Sequence, residues 1–181
     1  MNPVMTYGIA IGIAVLLSVA LNPILISISH KLGWFEKQNH RTIHKGEIPY
    51  IGGVAIFLSF IASVYITQIF AAESLFASSD MQKRLLLFTG GFLVIHLTGL
   101  IDDFVNIRAQ YKFLFQLGAA ALVSFSGATL TGISTASGGV LNFGPFSHII
   151  TILWLVGMSN AVNFIDGMDG LSGSTSAFAA I

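Results

Sequence analysis

The chain has 181 residues, of which 54% are hydrophobic and only 9% are charged, and its mean hydropathy is +0.82. Because a soluble domain averages about 25% charged residues, this composition excludes an ordinary soluble fold and predicts an integral membrane protein. The eight acidic residues balance the eight basic ones, which argues against a nucleic acid as partner, and the absence of cysteine excludes disulfides and thiolate-bound metals.

Long uncharged segments predict an all-α fold, a polytopic bundle of about five transmembrane helices with the start of a sixth. The first segment lacks a basic leader and a cleavage site, so we expect it to remain as a span. A stretch rich in Gly, Ser, Thr and Asn, 126–147, separates the fourth span from the fifth. The predicted spans are 4–28, 48–72, 85–101, 113–130 and 147–165, followed by a sixth from about Gly170.

The last apolar run, 171–181, is shorter than the roughly 20 residues that a membrane-spanning helix needs. We therefore expect residues 1–181 to form a single integral membrane domain. This domain is expected to be the N-terminal portion of a longer or truncated protein.

The connections between the predicted spans alternate between two faces of the membrane. Loops 30–47, 102–112 and 164–170 share one face, and loops 73–84 and 131–146 share the other. Six basic residues lie on the first face against two on the second, so the positive-inside rule makes the first face cytoplasmic and the N-terminus external. The six are Lys31, Lys37, Arg41, Lys45, Arg108 and Lys112.

A basic segment, 36–53, lies on the predicted cytoplasmic face. Its Arg41, His44 and Lys45 are suited to phosphate groups, Arg as a two-pronged donor and Lys as a point charge. The plainer interpretation is a basic cytoplasmic loop that binds no ligand.

Two adjacent acids, Asp102 and Asp103, end the third predicted span. Neighbouring carboxylates repel each other, which favours a cation between them. Mg²⁺ takes carboxylate oxygens and keeps phosphate and water ligands. The alternative is that these acids merely mark the membrane boundary.

Asn160, Asn163, Asp166 and Asp169 recur at every third residue, with a glycine after each aspartate. This spacing places acid and amide oxygens along a slowly turning stripe beside a very apolar segment, where carboxylates persist mainly for function. The alternative is a glycine-rich helix terminus whose polar groups only cap and pack.

Together the clusters predict a Mg²⁺-dependent site for a phosphorylated substrate on the cytoplasmic face. An ion-coupled transporter is the rival class, but it would place acids near the middle of the membrane. A CDP-alcohol phosphotransferase would continue its Asp-Gly with Ala-Arg, which this chain does not do. A non-catalytic membrane fragment is the third alternative.

The three clusters, taken in order, carry a resemblance to a known family. The motifs are Arg41-Thr-Ile-His-Lys-Gly-Glu-Ile-Pro-Tyr-Ile-Gly-Gly53, Gly99-Leu-Ile-Asp-Asp103 and Asn160-Ala-Val-Asn-Phe-Ile-Asp-Gly-Met-Asp-Gly-Leu171. Over about residues 30–173 the chain resembles the polyprenyl-phosphate N-acetylhexosamine-1-phosphate transferases. Its first motif is more similar to the GlcNAc-1-phosphate branch than to the phospho-N-acetylmuramoyl-pentapeptide branch. It departs from the family pattern at Glu36, Gln38 and Asn106, where Asp, Pro and a third acid are expected.

The resemblance implies that a UDP-N-acetylhexosamine gives its sugar 1-phosphate to undecaprenyl phosphate in the bacterial cytoplasmic membrane, with release of UMP on the cytoplasmic side. The implied cofactor is Mg²⁺, with Mn²⁺ as a substitute, bound by Asp166 and Asp102. The implied catalytic residues are Asp102, Asp103 and Asp169, with the role of Asp102 as nucleophile, base or positioner left open. The implied substrate-binding residues are Arg41, His44, Lys45, Asn160 and Asn163. The expected partners are both substrates and the lipid bilayer, and a homodimer is left open.

Overall fold

The computed structural model describes residues 3–35, 49–70, 78–135 and 138–165. Within these ranges five helices follow one another, and a two-stranded antiparallel hairpin connects the fourth to the fifth. The helices are α1 Pro3–Leu32, α2 Gly52–Phe70, α3 Ser79–Val105, α4 Ala109–Phe125 and α5 Ser147–Ile165. The strands are β1 Gly132–Ser134 and β2 Val140–Asn142, and a 3-10 turn covers Gly144–Phe146.

Each of the five predicted spans corresponds to a helix, which confirms the mostly helical character of the fold. α5 has the predicted bounds, α4 lies slightly earlier than predicted, and α3 is longer at both ends. The start of α3 is extended because the Ser78 hydroxyl accepts the Met81 N–H at 3.2 Å. Asp80 then pairs with Arg84 one turn later at 2.8 Å. Capping and charge pairing therefore carry the helix beyond its apolar stretch.

The hairpin is a correction to the all-α expectation. The segment predicted as an irregular loop contains β1 and β2, with Gly132 opposite Asn142. A Cβ at Gly132 would lie 2.6 Å from the Leu141 carbonyl oxygen, so only glycine allows the strands to approach this closely. Strands of three residues show too little alternation to be recognised in sequence.

Three helices among the described residues are long and apolar enough to cross a membrane: Met5–Leu32, Ser79–Val105 and Gly144–Phe164. Gly52–Gln68 is a shorter apolar helix. The total number of spans and the direction in which the chain crosses remain predictions, and the predicted sixth span lies outside the described residues.

The helices turn large apolar side chains outward and small ones inward. Leu16, Val19 and Leu153 are 72%, 67% and 62% exposed, a pattern that lipid accommodates and water does not. Most of the buried positions among the described residues are small residues that allow close helix contact. They include Ser29, Ala55, Ser59, Ala119, Ala120 and Ser124.

Helix packing follows chain order. α1 packs against α2, and α4 packs against both α3 and α5. α3 approaches α4 closely at Gly91, where an added Cβ would lie 2.6 Å from Val123 Cγ2 and 2.8 Å from the Ala119 carbonyl oxygen. The hydroxyls of Tyr65 and Thr89 connect α2 to α3 at 3.2 Å.

The two ends of the bundle differ in chemistry. At the end that we call the site end, α1, α3 and α5 finish and α2 and α4 begin. It contains Trp34, Tyr50, Asp102, Lys112 and Asn160. At the opposite hairpin end, Ser124 of α4 bonds to His148 Nδ1 of α5 at 2.8 Å. The predicted grouping of the connections at two opposite ends agrees with this arrangement.

Candidate active site

Asp102 lies in the last turn of α3 and organises the connection to α4. Its Oδ1 accepts the N–H of Ile107 at 2.9 Å, and its Oδ2 accepts a hydrogen bond from Lys112 Nζ at 2.6 Å. Its backbone carbonyl accepts the Asn106 N–H at 2.8 Å. Asn106 ends the helix with φ 52° and ψ 76°, a left-handed conformation that Asn tolerates better than most residues. The carboxylate is therefore held at both oxygens.

The ion pair between Asp102 and Lys112 is partly buried, since the two side chains are 24% and 23% exposed. Water therefore screens this pair less than it screens a pair on an open surface. Each carboxylate oxygen has two lone pairs, so Asp102 can accept a further ligand while it keeps Lys112. The neighbouring Asp103 is exposed.

Lys112 also lines an open cleft of about 700 Å³ between α4 and α5. Asn160 and Asn163 of α5 line the same cleft. Lys112 thus connects Asp102 of the second motif to the amides of the third. An ammonium group beside amides is a combination that binds phosphate and hydroxyl oxygens.

Asn160 crosses from α5 to Gln116 of α4. Its Nδ2 donates to Gln116 Oε1 at 2.9 Å, and Gln116 Nε2 donates to Asn160 Oδ1 at 3.4 Å. The same Nδ2 donates to the Val156 carbonyl at 2.9 Å. Gln116 is only 3% exposed, whereas Asn160 is exposed at the cleft, so this amide pair joins α4 to α5 at the edge of the protein interior.

The described end of the first motif reaches the same region through aromatic contacts. Phe104 follows the two acids directly and packs edge-on against Trp34, with ring centroids 5.3 Å apart. It also packs against Tyr50 at 5.1 Å. The Tyr50 N–H donates to the Trp34 carbonyl at 3.2 Å. Parts of all three motifs therefore lie at the site end.

Three of the predicted site residues meet at the cleft. Asn160 and Asn163 line it, and Asp102 is joined to it by the ion pair with Lys112. The remaining predicted site residues, apart from Asp103, lie outside the described residues, and their roles stay predictions. They are Arg41, His44, Lys45, Asp166 and Asp169.

Two of the cleft residues that make these contacts, Lys112 and Gln116, are not among the predicted site residues. They lie four positions apart, so they share one face of α4. Gln116 is also an amide inside an apolar helix, where a polar side chain is costly unless it is hydrogen-bonded. The spacing of these two residues and the presence of an amide in an apolar helix can both be read from the sequence.

A smaller cavity of about 180 Å³ lies between α3, α4 and α5. Apolar side chains such as Phe92 and Leu155 line it, with Gln116 also on its wall. None of its lining residues is charged. We therefore place the candidate site at the larger cleft, where the charged and amide groups meet.

Comparison with known proteins identifies the family of the chain. The family model described as glycosyl transferase family 4 matches residues 85–181, which is more than half of the chain. The chain belongs to glycosyl transferase family 4. The matched part of this family 4 chain contains Asp102 and Asp103 of α3, Lys112, and the amides of α5.

Curated relatives extend this likeness toward the N-terminus. The chain is 30% identical over 169 residues to a probable undecaprenyl-phosphate N-acetylglucosaminyl 1-phosphate transferase of Bacillus subtilis (strain 168), covering 93% of this chain and 44% of the relative. It is 29% identical over 163 residues to the undecaprenyl-phosphate alpha-N-acetylglucosaminyl 1-phosphate transferase of Yersinia pestis, covering 89% and 42%. It is 32% identical over 182 residues to a phospho-N-acetylmuramoyl-pentapeptide-transferase of Halalkalibacterium halodurans, covering 90% and 53%.

These relatives confirm the resemblance recognised in the three motifs. Together with the long apolar helices, they also support a membrane protein. This family 4 chain spans about half the length of the curated relatives it matches. No solved structure gives a significant match.

Proposed function

We propose that this family 4 chain belongs to an enzyme that transfers N-acetylhexosamine 1-phosphate from a UDP-linked donor to undecaprenyl phosphate, for the synthesis of cell-envelope polysaccharide. The observation that carries the proposal is the cleft in which Lys112, paired with Asp102, lies beside Asn160 and Asn163. The names of the relatives from Bacillus subtilis and Yersinia pestis support the same kind of transfer.

In the proposed reaction an oxygen of undecaprenyl phosphate attacks the phosphorus that carries the sugar. A new P–O bond forms, the bond from this phosphorus to the bridging oxygen of UMP breaks, and UMP leaves with the electron pair. A phosphate monoester is already largely ionised near neutral pH. The site therefore has to position and neutralise charge more than it has to remove a proton.

The described residues are suited to positioning and neutralising phosphate charge. Lys112 supplies a positive charge to the phosphate oxygens, and Asp102 holds the ammonium group in position. The Asn163 amide at the cleft can bond to the donor. Asp103 and Asp169 complete the proposed catalytic set. The proposed phosphate-binding residues of the first motif are Arg41, His44 and Lys45.

The donor set also fits a hard divalent cation. Asp102 and Asn163 offer carboxylate and amide oxygens, which are the ligands that Mg²⁺ accepts. Within the described residues, no three His, Asp or Glu side chains come together as a ligand group. On the third motif, we propose that Asp166 joins Asp102 in holding Mg²⁺, or Mn²⁺ in its place. The bound cation would neutralise the charge of the diphosphate.

The location of Asp102 disfavours the rival transporter. It lies in the last turn of α3, whereas an ion path would need acids near the middle of a span. We propose that the site end faces the cytoplasm, where UDP-sugars are found, and that the membrane is the bacterial cytoplasmic membrane. The excess of basic residues at that end supports this orientation.

The test is an assay of purified protein with undecaprenyl phosphate, Mg²⁺ and a panel of UDP-sugars, in which UMP and UDP are measured separately. We expect UMP release that depends on the lipid acceptor and on one UDP-N-acetylhexosamine. Release of UDP would indicate transfer of a sugar without its phosphate and would contradict the proposal. UMP release without acceptor would indicate hydrolysis and would contradict it equally.

A further inference from the structure

The hydrogen bonds of Asn160 leave its amide group little capacity for a ligand. Both hydrogens of its Nδ2 are used, one by Gln116 Oε1 and one by the Val156 carbonyl, each at 2.9 Å. Its Oδ1 accepts from Gln116 Nε2 at 3.4 Å. Only one lone pair on this oxygen remains available. Asn163, one turn later, lines the cleft and has no comparable bond to α4 among the contacts of the described residues.

The Gln116–Asn160 amide pair lies between two cavities. Gln116 lines the polar cleft of about 700 Å³ and also the apolar cavity of about 180 Å³. The Gln116 side chain is 3% exposed, so its amide lies in a medium of low polarity where a lost partner is costly, whereas Asn160 is exposed. An unpaired amide there would draw water toward the apolar cavity or would move the helices apart.

We propose that Gln116 is a positioning residue, which acts through Asn160 to fix the rotation and height of the last turns of α5 beside Lys112. A shift of α5 by one residue would turn it by about 100° and raise it by about 1.5 Å. Such a shift would remove Asn163 from the cleft. This inference rests on the proposed function, and it assigns Asn160 to positioning in place of the substrate contact that its motif predicts.

The length of the two side chains provides a sharp test. Gln116→Asn shortens the pair by one methylene, Asn160→Gln lengthens it by one, and the double variant restores the combined reach. We expect each single variant of the purified protein to lose roughly 10- to 100-fold in kcat, because small displacements of reacting groups cost that much. The KM for the UDP-sugar is expected to stay unchanged, and the double variant is expected to recover most of the lost kcat.

Ser124→Ala is the matched control. It removes another side-chain hydrogen bond between α4 and α5, the 2.8 Å contact to His148 at the hairpin end. We expect it to keep the parental kcat. An equal loss of kcat in Ser124→Ala would show that any loosening of these helices suffices and would overturn the proposal. A double variant no better than the worse single variant would overturn it too, as would a raised KM confined to Asn160→Gln.

A distance measurement makes the test independent of turnover. The chain has no cysteine, so spin labels can be attached through Leu114→Cys on α4 and Val162→Cys on α5, at positions that are 61% and 40% exposed. We expect one narrow distance distribution in the parent and in the double variant, and a broadened or shifted one in Gln116→Leu. An unchanged distribution in Gln116→Leu would overturn the positioning role. A parent with the narrow distribution but no UMP release would count against the proposed function alone.

Discussion

Lys112 Nζ lies 2.6 Å from Oδ2 of Asp102, and this pair joins the start of α4 to the end of α3. The other carboxylate oxygen accepts the Ile107 N–H, so the acid cannot swing away from Lys112 without losing two bonds. Lys112 at the same time lines the cleft that Asn163 borders. One side chain thus connects the acidic pair of α3 to the amide stripe of α5.

The first prediction concerns this lysine. Lys112→Met keeps much of the volume of the side chain but removes its charge, so the phosphate oxygens lose a preorganised positive partner and Asp102 loses its counter-ion. We expect kcat/KM for UMP release to fall by about 100-fold or more. Lys112→Arg is expected to recover part of the loss, since the charge returns with a different geometry.

The control for Lys112 is Lys83→Met, an equal loss of charge on α3 near the hairpin end. Its activity should match the parent enzyme. If Lys112→Met retained full activity, the cleft would not be the catalytic site. If both variants lost activity alike, the effect would be one of overall charge and not of position.

The second prediction concerns the metal. Because a diphosphate donor and a phosphate acceptor repel each other, we expect chelation with EDTA to abolish UMP release and added Mg²⁺ to restore it, with Mn²⁺ as a substitute. Asp166→Asn is expected to lower kcat by at least about 100-fold at saturating Mg²⁺. Asp80→Asn, an acid in the first turn of α3 at the hairpin end, serves as the control. Full activity in EDTA, or in Asp166→Asn, would remove the metal assignment.

Much of the fold could be predicted from the sequence, because bilayer thickness sets the length of the apolar runs. The 147–165 run matched α5 residue for residue. The motifs meet at one end because successive spans alternate in direction. The span that ends at Asp102 therefore ends on the same side as the fifth span, which carries Asn160 and Asn163. The hairpin was missed because Gly132 and its partners form strands only through contact with each other.

The pairings inside the site could not be predicted. Gln116 and Asn160 are 44 positions apart, and their contact depends on the rotation of two helices about their axes. Apolar residues cover most of the surface of both helices, so their few polar positions do not show which neighbouring helix each side chain meets. Lys112 and Asp102 are only 10 positions apart, yet their contact depends on the tight connection that Asn106 starts.

The third prediction concerns the contact between α3 and α4. Gly91→Ala would place a methyl group 2.6 Å from Val123 Cγ2 and 2.8 Å from the Ala119 carbonyl oxygen, and the backbone cannot move aside cheaply. We expect a loss of about 1–3 kcal/mol in the free energy of unfolding. Thermal unfolding in detergent measures it as a lower midpoint.

The neighbouring glycine provides the comparison. A Cβ at Gly90 would meet only Leu122 Cδ1, at an ordinary 3.9 Å. Gly90→Ala should therefore unfold at the parental temperature or above it, since alanine favours helix. Equal destabilisation in both variants would show that helix packing at Gly91 is not the cause.

The fourth prediction concerns Phe104, whose ring contacts both Trp34 and Tyr50. Aromatic pairs contribute about 0.5–1.5 kcal/mol beyond the area they bury. Phe104→Ala is expected to raise the KM for the UDP-sugar, because the described end of the first motif loses its contact with the acid-bearing end of α3. Phe125→Ala removes a comparable stacking contact, with His148 at 4.9 Å, and is expected to leave this KM unchanged. A rise in both variants would contradict a role specific to the site end.

The last prediction distinguishes the role of the Asn106 backbone conformation from the role of its side chain. This residue stands where a third acid is expected in the family, yet in the structure it ends α3 at φ 52° and donates its N–H to the Asp102 carbonyl at 2.8 Å. Asn106→Val should lose about 1–2 kcal/mol of stability, because a β-branched residue resists the left-handed conformation, and activity should fall as the Asp102 turn loosens. Asn106→Gly lacks the side chain but adopts the turn freely, so both stability and UMP release are expected to persist. If Gly and Val variants lost activity equally while remaining folded, the Asn106 amide itself would be part of the chemistry.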